Sequence, residues 1–296
     1  MNHTFLKFTA FALLASAGVA LSACTEEAAD STDIKTSGIH AVFSAVAKGD
    51  GSTVVTGDLH VASSSGTPLE LKGSDELMAK VAAESKRLSG TNTQGRYQGS
   101  FGTDAADTVI VVDFNRAPED VSAPGSTVTL PAPFTLSLDG LSSGASIQRG
   151  TDVNLKMEPA GASGAKVNWS VSGTCLFDKG GTAGDDGTIM IPASSIDLTL
   201  SGEGKTCEVT VTVERVNGGI LATQFKEGGS VTAKQIRSVT FNSTPAPGEV
   251  MQPGTGGSTG AGGASSAGGA SSTGGANSGG SPSTGGANNG GAAGAQ

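Results

Sequence analysis

Aromatic and imidazole side chains are scarce. The chain of 296 residues holds one Trp, one Tyr, ten Phe and three His. Sites that stack sugars or bases rest on aromatic platforms, and few are on offer. Basic charge is also short: 18 Lys+Arg stand against 27 Asp+Glu, a net charge of −9. With no basic stripe, the electrostatic footprint of a nucleic-acid binder is missing. The sequence contains no HExxH, phosphate-binding loop or dinucleotide fingerprint, and it implies no cofactor. Gly140-Leu141-Ser142-Ser143-Gly144 matches the nucleophile-elbow pattern after an expected strand. No His follows residue 60 to act as base, however, and no helical pattern follows Gly144. Good helix formers are thin while Thr, Val, Ser and Gly dominate, which points to β structure.

Long apolar runs are missing too. The segment Phe8–Ala20, FTAFALLASAGVA, has 13 residues. A bilayer-spanning helix needs about 20. A short polar start carrying Lys7 precedes it, as in a secretory signal. The segment ends Leu21-Ser22-Ala23-Cys24, which resembles the lipobox of bacterial lipoproteins. That resemblance implies cleavage of residues 1–23, lipidation of Cys24 and a short tether over 24–36. Thr25, where Asp would favour inner-membrane retention, implies the outer membrane. Each buried methylene contributes ~0.8 kcal/mol, so two or three acyl chains anchor stably where one is marginal. Without Lys7, 17 basic residues face 27 acidic ones in the mature chain.

The other end is low in complexity. After Glu249 no charge occurs, and from Gly254 the chain cycles through variants of GGASS and TGGANS. Such tracts cannot bury enough apolar surface to offset ordering entropy, so 246–296 reads as a disordered tail. Between tether and tail, all-β patterning predicts two tandem, loosely immunoglobulin-like β-sandwich modules. They cover 37–116 and 127–245, with the Pro-bearing seam APEDVSAPGS at 117–126 as linker.

In the first module, period-two runs at 39–47 and 53–61 flank the turn signal KGDGS and predict a hairpin. A third short strand is expected at 68–72, and a further pair at 97–101 and 108–114 across GTDAAD. The run 75–88 reads as a short helix or irregular crossover, although Leu77, Ala79 and Val81 also alternate. In the second module, strands are expected at 133–138, 151–158, 165–173, 188–192, 196–200, 206–214, 220–225 and 235–243. Trp169 shares a strand face with Val167 and Val171, which marks it as a core residue.

Cys175 and Cys207 form an even pair in an exported domain, so a disulfide is expected. Trp169 precedes both cysteines, unlike the order in antibody-type domains. With a turn at Gly49-Asp50-Gly51, His40 and His60 face each other across the hairpin, with Asp58 diagonal. Two opposed imidazoles can begin a metal site or a pH switch. Asp178, Asp185 and Asp186 in FDKGGTAGDDGT are hard oxygen donors that could hold Ca²⁺, though the spacing matches no EF-hand.

In overall arrangement the chain resembles predicted two-module all-β outer-membrane lipoproteins of Gram-negative bacteria, through VTLPAPFTLSL and QIRSVTFNSTP. That likeness brings no catalytic residues with it. The expected function is a non-enzymatic binding or adhesion module, membrane-held by its lipid and partnered by another envelope or surface protein. A structural or assembly role is the alternative, and an enzyme with carboxylates gathered from distant strands is the third.

Overall fold

The computed structural model describes residues 27–196, 198–199 and 204–248. The signal segment, Cys24 and the low-complexity run from 249 onward lie outside these residues.

Ten strands precede residue 130. They are β1 (Ala29–Asp30), β2 (Ile39–Ala47), β3 (Thr53–Val61), β4 (Leu69–Glu70), β5 (Glu76–Val81), β6 (Glu84–Arg87), β7 (Ser89–Gly90), β8 (Arg96–Phe101), β9 (Val109–Asn115) and β10 (Ala123–Thr129). Eight follow: β11 (Thr135–Leu138), β12 (Ser146–Gln148), β13 (Val153–Glu158), β14 (Lys166–Gly173), β15 (Lys179–Gly184), β16 (Thr188–Ile191), β17 (Cys207–Gly218) and β18 (Ser230–Thr244). Among the described residues the helical turns are three short 3-10 segments. The all-β expectation holds.

The sheets do not divide as the sequence suggested. One nine-stranded sheet runs β15-β14-β17-β18-β2-β3-β8-β7, with β12 also on β18. A four-stranded sheet, β10-β9-β5-β6, and a three-stranded sheet, β11-β13-β16, complete the two sandwiches. Strand β18 is 15 residues long and pairs with β17 along its length. Its first part runs parallel to β2, from Ser230↔Val42 to Gln235↔Ala47, and its last part runs parallel to β12. Two cores therefore share one sheet. The first contains Phe43, Leu59, Leu77 and Phe114, but also Phe225, Val231 and Ala233 from far along the chain. The second contains Phe134, Leu155, Val167, Val211 and Phe241. Phe225 joins the first core through two rings, 5.8 Å from both Phe43 and Phe114 between ring centroids.

Period-two alternation explains the shared face. In β18 the buried positions Val231, Ala233, Gln235, Val239, Phe241 and Ser243 are all odd, so both cores lie on one side of the strand. Between them, inward positions are polar: Arg215 and Asn217 on β17, Gln235 and Arg237 on β18. Each has a partner. Asn217 Nδ2 donates to Thr129 O at 2.9 Å, and Gln235 Nε2 donates to Asp104 O at 2.8 Å. The guanidinium of Arg215 donates twice to the Asp185 carboxylate, at 2.7 and 2.8 Å, and to Ala132 O and Pro159 O. Arg215 and Arg237 both lie over the ring of Phe134, at 4.9 and 5.4 Å. Burial lowers the pKa of Arg237. At Gly49, with φ +85°, an added Cβ would stand 2.5 Å from Arg237 Cζ, so a side chain there would strain the turn and displace the guanidinium.

Other expectations change with this architecture. The hairpin register is as expected, Ile39↔Val61 through Ala47↔Thr53. The run 75–88 is the β5–β6 hairpin and not a helix, because Leu77, Ala79 and Val81 face the core. The strands at 96–101 and 109–115 do not pair; β8 joins β3 in the large sheet and β9 joins β5 and β10 in the small one. The linker ends earlier than expected, because Ala123–Thr129 is β10. The tether is also shorter: β1 pairs with β4, and residues 31–36 are fastened to the fold. Ile220–Phe225 forms no strand beyond a single bridge from Ile220 to Thr127. The expected strand at 196–200 lies partly outside the described residues, and Leu198 makes an isolated bridge to Leu176.

The expected disulfide is present, Cys175–Cys207, with Cα atoms 6.1 Å apart. Cys207 opens β17, and Cys175 follows β14, its neighbour in the same sheet. Closing a loop of 32 residues contributes roughly 3–4 kcal/mol in the chain-entropy picture.

Candidate functional site

A groove of about 570 Å³ opens beside β7, at the end of the large sheet nearest the first described residues. Its walls include Glu70, Arg87, Thr91, Gln94, Arg96 and Tyr97. The turn from β7 to β8 shapes it. Gly95 has φ +72°, and its carbonyl accepts from Leu59 N at 2.8 Å; a Cβ there would stand 2.7 Å from Leu59 O. Tyr97 closes the inner wall. Its hydroxyl donates to Leu69 O at 3.0 Å and accepts from Leu71 N at 2.7 Å, so it pins β4 to β8. Burial raises the Tyr97 pKa above its ordinary 10.0. Tyr97→Phe leaves the Leu71 N–H without its acceptor. The expected cost is about 1–2 kcal/mol in urea unfolding, with no change in far-UV circular dichroism.

The groove rim is ionic. Arg96 reaches Asp58 through two hydrogen bonds, at 2.6 and 3.2 Å, and the Asp58 bond raises the Arg96 pKa. Glu70 pairs with Lys72 at 2.8 Å, and Arg87 stands 3.8 Å from Glu76. Such exposed pairs contribute ~0–1 kcal/mol each. Hydroxyls, an amide and guanidinium groups can thus hold a polar ligand by hydrogen bonds. Among the described residues that line the groove there is no His or Cys.

The residues singled out from the sequence fall elsewhere. His40 and His60 are ladder partners, both on the outer face of the large sheet. His40 is buried and its Nε2 lies 3.1 Å from Gly228 O, while half-buried His60 has Nδ1 3.0 Å from Gly66 O. Asp58 is held by Arg96 and does not join them.

The three aspartates do not converge. Asp185 is buried against Arg215, and its Oδ1 also accepts from Gly161 N. Asp186 accepts from Thr188 in a local turn. Much of the segment expected as an acidic loop is β15, paired with β14. Among the described residues no group of three or more His, Cys, Asp or Glu could hold a metal. Ser143 lies 3.3 Å from the Thr240 hydroxyl, with no imidazole beside it. Trp169 is half-buried at the rim of the second core, over Gly181 of β15. Cys24 lies outside the described residues.

The buried arginines were missed. Arg116, with no exposed side-chain surface, donates to Asp75, Ile34 O, Thr36 and Ser31 O and pairs with Asp120. It holds the segment after β1 against the first sandwich. An arginine at the end of a strand pattern looks like a solvated strand terminus, so only the structure reveals it.

No protein-family model matches the chain, and no curated protein does. Among solved structures it is similar to the chicken CNTN1 FN1–FN3 domains, at 8% identity over 69% of this chain and 67% of that chain, with TM-score 0.26. It is similar to DIP-gamma IG1+IG2 at 10% identity over 67% and 94%, with TM-score 0.21. Activated Escherichia coli alpha-2-macroglobulin gives 11% identity over 70% of this chain and 20% of that chain, with TM-score 0.23. At such scores the superpositions carry no argument; the architecture rests on the strands themselves.

Proposed function

We propose that the chain is an outer-membrane lipoprotein, held by acyl groups on Cys24, that acts as a non-enzymatic binding or adhesion module. The groove beside β7 carries this reading. It is large enough for a small polar ligand, it is framed by the β7–β8 turn and by β4, which Tyr97 pins to β8, and it offers hydrogen-bonding groups. Residue Ala28 on its rim is four positions from Cys24, so the lipid would hold the groove close to the membrane. The alternative, an assembly subunit joined through strand addition, calls for a long apolar edge. The outermost strands of the large sheet are β7, with two residues, and β15, whose six residues include three glycines.

Two measurements test the reading. Cys24→Ala is expected to move the protein from the membrane fraction to the soluble fraction; retention in the membrane would sink the lipid anchor. Purified protein would then be screened on arrays of envelope glycans and extended peptides. The Arg87→Ala/Gln94→Ala double variant is expected to lose at least tenfold of any affinity found. Binding undiminished in that variant would remove the groove from the proposal.

A further inference from the structure

We propose that His40 and His60 form a two-imidazole site for a borderline divalent transition ion, of the Cu²⁺ or Zn²⁺ class. This is independent of the groove. The inference starts from hydrogen bonds at the far flanks of the two rings. A backbone carbonyl can only accept, so the nitrogen facing it carries the proton. Gly228 O therefore fixes His40 as the Nε2–H tautomer, and Gly66 O fixes His60 as the Nδ1–H tautomer. Each ring keeps one bare lone pair, on His40 Nδ1 and His60 Nε2. An imidazole donating its N–H to a carbonyl while the other nitrogen stays free is the second-shell arrangement that orients metal-binding histidines.

The topology sets where those lone pairs face. Gly228 approaches His40 from the β18 side of β2, just before the parallel pair Ser230↔Val42. Gly66 approaches His60 from the opposite side of β3, next to Thr67, whose carbonyl accepts from Val61 N. Both N–H groups thus point outward from the β2–β3 pair. The two nitrogens of an imidazole lie on different flanks of the ring, so an N–H held outward leaves each lone pair on the flank nearer the other histidine. Ladder partners of this kind carry Cβ atoms about 5 Å apart, within reach of one ion bound at roughly 2.0–2.1 Å from each nitrogen.

A second observation points to a missing ligand. His40 is 8% exposed, and its Nδ1 is buried without a hydrogen-bond partner. An unpaired buried nitrogen costs free energy that a bound ion would recover. Asp58, two residues before His60 on the same face, is paired with Arg96, which leaves the site two imidazole nitrogens and open positions for water or a partner's ligand. Imidazole donors favour Cu²⁺ and Zn²⁺ over Ca²⁺, with Cu²⁺ the tightest of the divalent series.

The test is Cu²⁺ titration of the full chain, followed by electron paramagnetic resonance and competition with a chromophoric chelator. Three forms are compared: wild type, His60→Ala and His3→Ala. The last removes the imidazole of Met1-Asn2-His3, which in the uncleaved chain could bind Cu²⁺ with the amino terminus. Wild type and His3→Ala are expected to bind one ion with nitrogen coupling, unaffected by millimolar Ca²⁺. His60→Ala is expected to bind at least thirtyfold more weakly. His60 is half-buried, so the variant is expected to fold, and its melting curve without metal is the check. Zn²⁺ is expected to raise the melting temperature of wild type and not of His60→Ala. Equal Cu²⁺ affinity in wild type and His60→Ala, or binding lost only in His3→Ala, would overturn the site.

Discussion

A fragment covering residues 27–130 is expected to be unfolded in isolation. It contains the first module as its period-two strands define it, together with β10, but it lacks Ala222, Phe225, Val231 and Ala233. Phe225 alone stacks on Phe114 and meets Phe43 edge-on. Removing a buried Phe costs ~3–5 kcal/mol, comparable to the whole stability of a small domain. The fragment also strips β18 from β2, so a central strand becomes an open edge. The measurement is an amide correlation spectrum of the fragment beside that of residues 27–248. Dispersed resonances in the fragment would show that the first sandwich is self-sufficient. For the longer chain, urea unfolding is expected to follow one transition by both tryptophan fluorescence and circular dichroism. Trp169 reports on the second core and the strands of the first core dominate the other signal, so two separated midpoints would contradict the shared sheet.

Arg215→Ala is expected to destabilise the protein by about 3–5 kcal/mol, because it leaves a buried carboxylate without its counter-charge. Asp185 and Arg215 are each less than a tenth exposed. The same guanidinium satisfies the carbonyls of Ala132, Pro133 and Pro159, so its loss also frees the chain entering the second sandwich. The double variant Arg215→Met/Asp185→Leu removes both charges and is expected to recover most of the loss. Chemical denaturation of the three proteins decides. If Arg215→Ala costs less than about 1 kcal/mol, the pair is only a surface-like contact.

These polar residues also explain what the sequence hid. Strand β17 was expected to stop at Glu214 and β18 to begin at Gln235. The first boundary falls where the inward position turns charged, at Arg215; the second falls at the inward polar residue Gln235, which left Val231 and Ala233 outside the expected strand although they share its phase. Pattern reading takes a charged residue on the apolar phase as the end of a strand. Here the strands continue, because Arg215, Arg237 and the Gln235 amide nitrogen find acceptors between the two cores. With both strands cut short on paper, the two sandwiches looked like separate modules. The β2–β3 hairpin was legible because its alternation is unbroken and its turn carries two positive-φ glycines. The disulfide followed from cysteine count and context. The groove was not legible, since its walls come from Ala28 and from residues between 70 and 97 whose polar side chains look like ordinary loop surface. Strand β15 was hidden for a related reason: Lys179–Gly184 has few side chains to show a period, and Trp169 supplies the packing instead.

The parallel pairing of β2 with β18 has a mechanical side. Tension applied between Cys24 and the far end of the chain pulls the start of β2 one way and the end of β18 the other. Parallel strands loaded at opposite ends are sheared, so the hydrogen bonds of the pairs from Ser230↔Val42 to Gln235↔Ala47 resist together instead of opening one by one. The antiparallel ladder between β17 and β18 then passes that load into the second sandwich through twelve paired positions. If Cys24 is lipid-held as proposed, this wiring would make the two sandwiches bear drag together and not as two beads on a string.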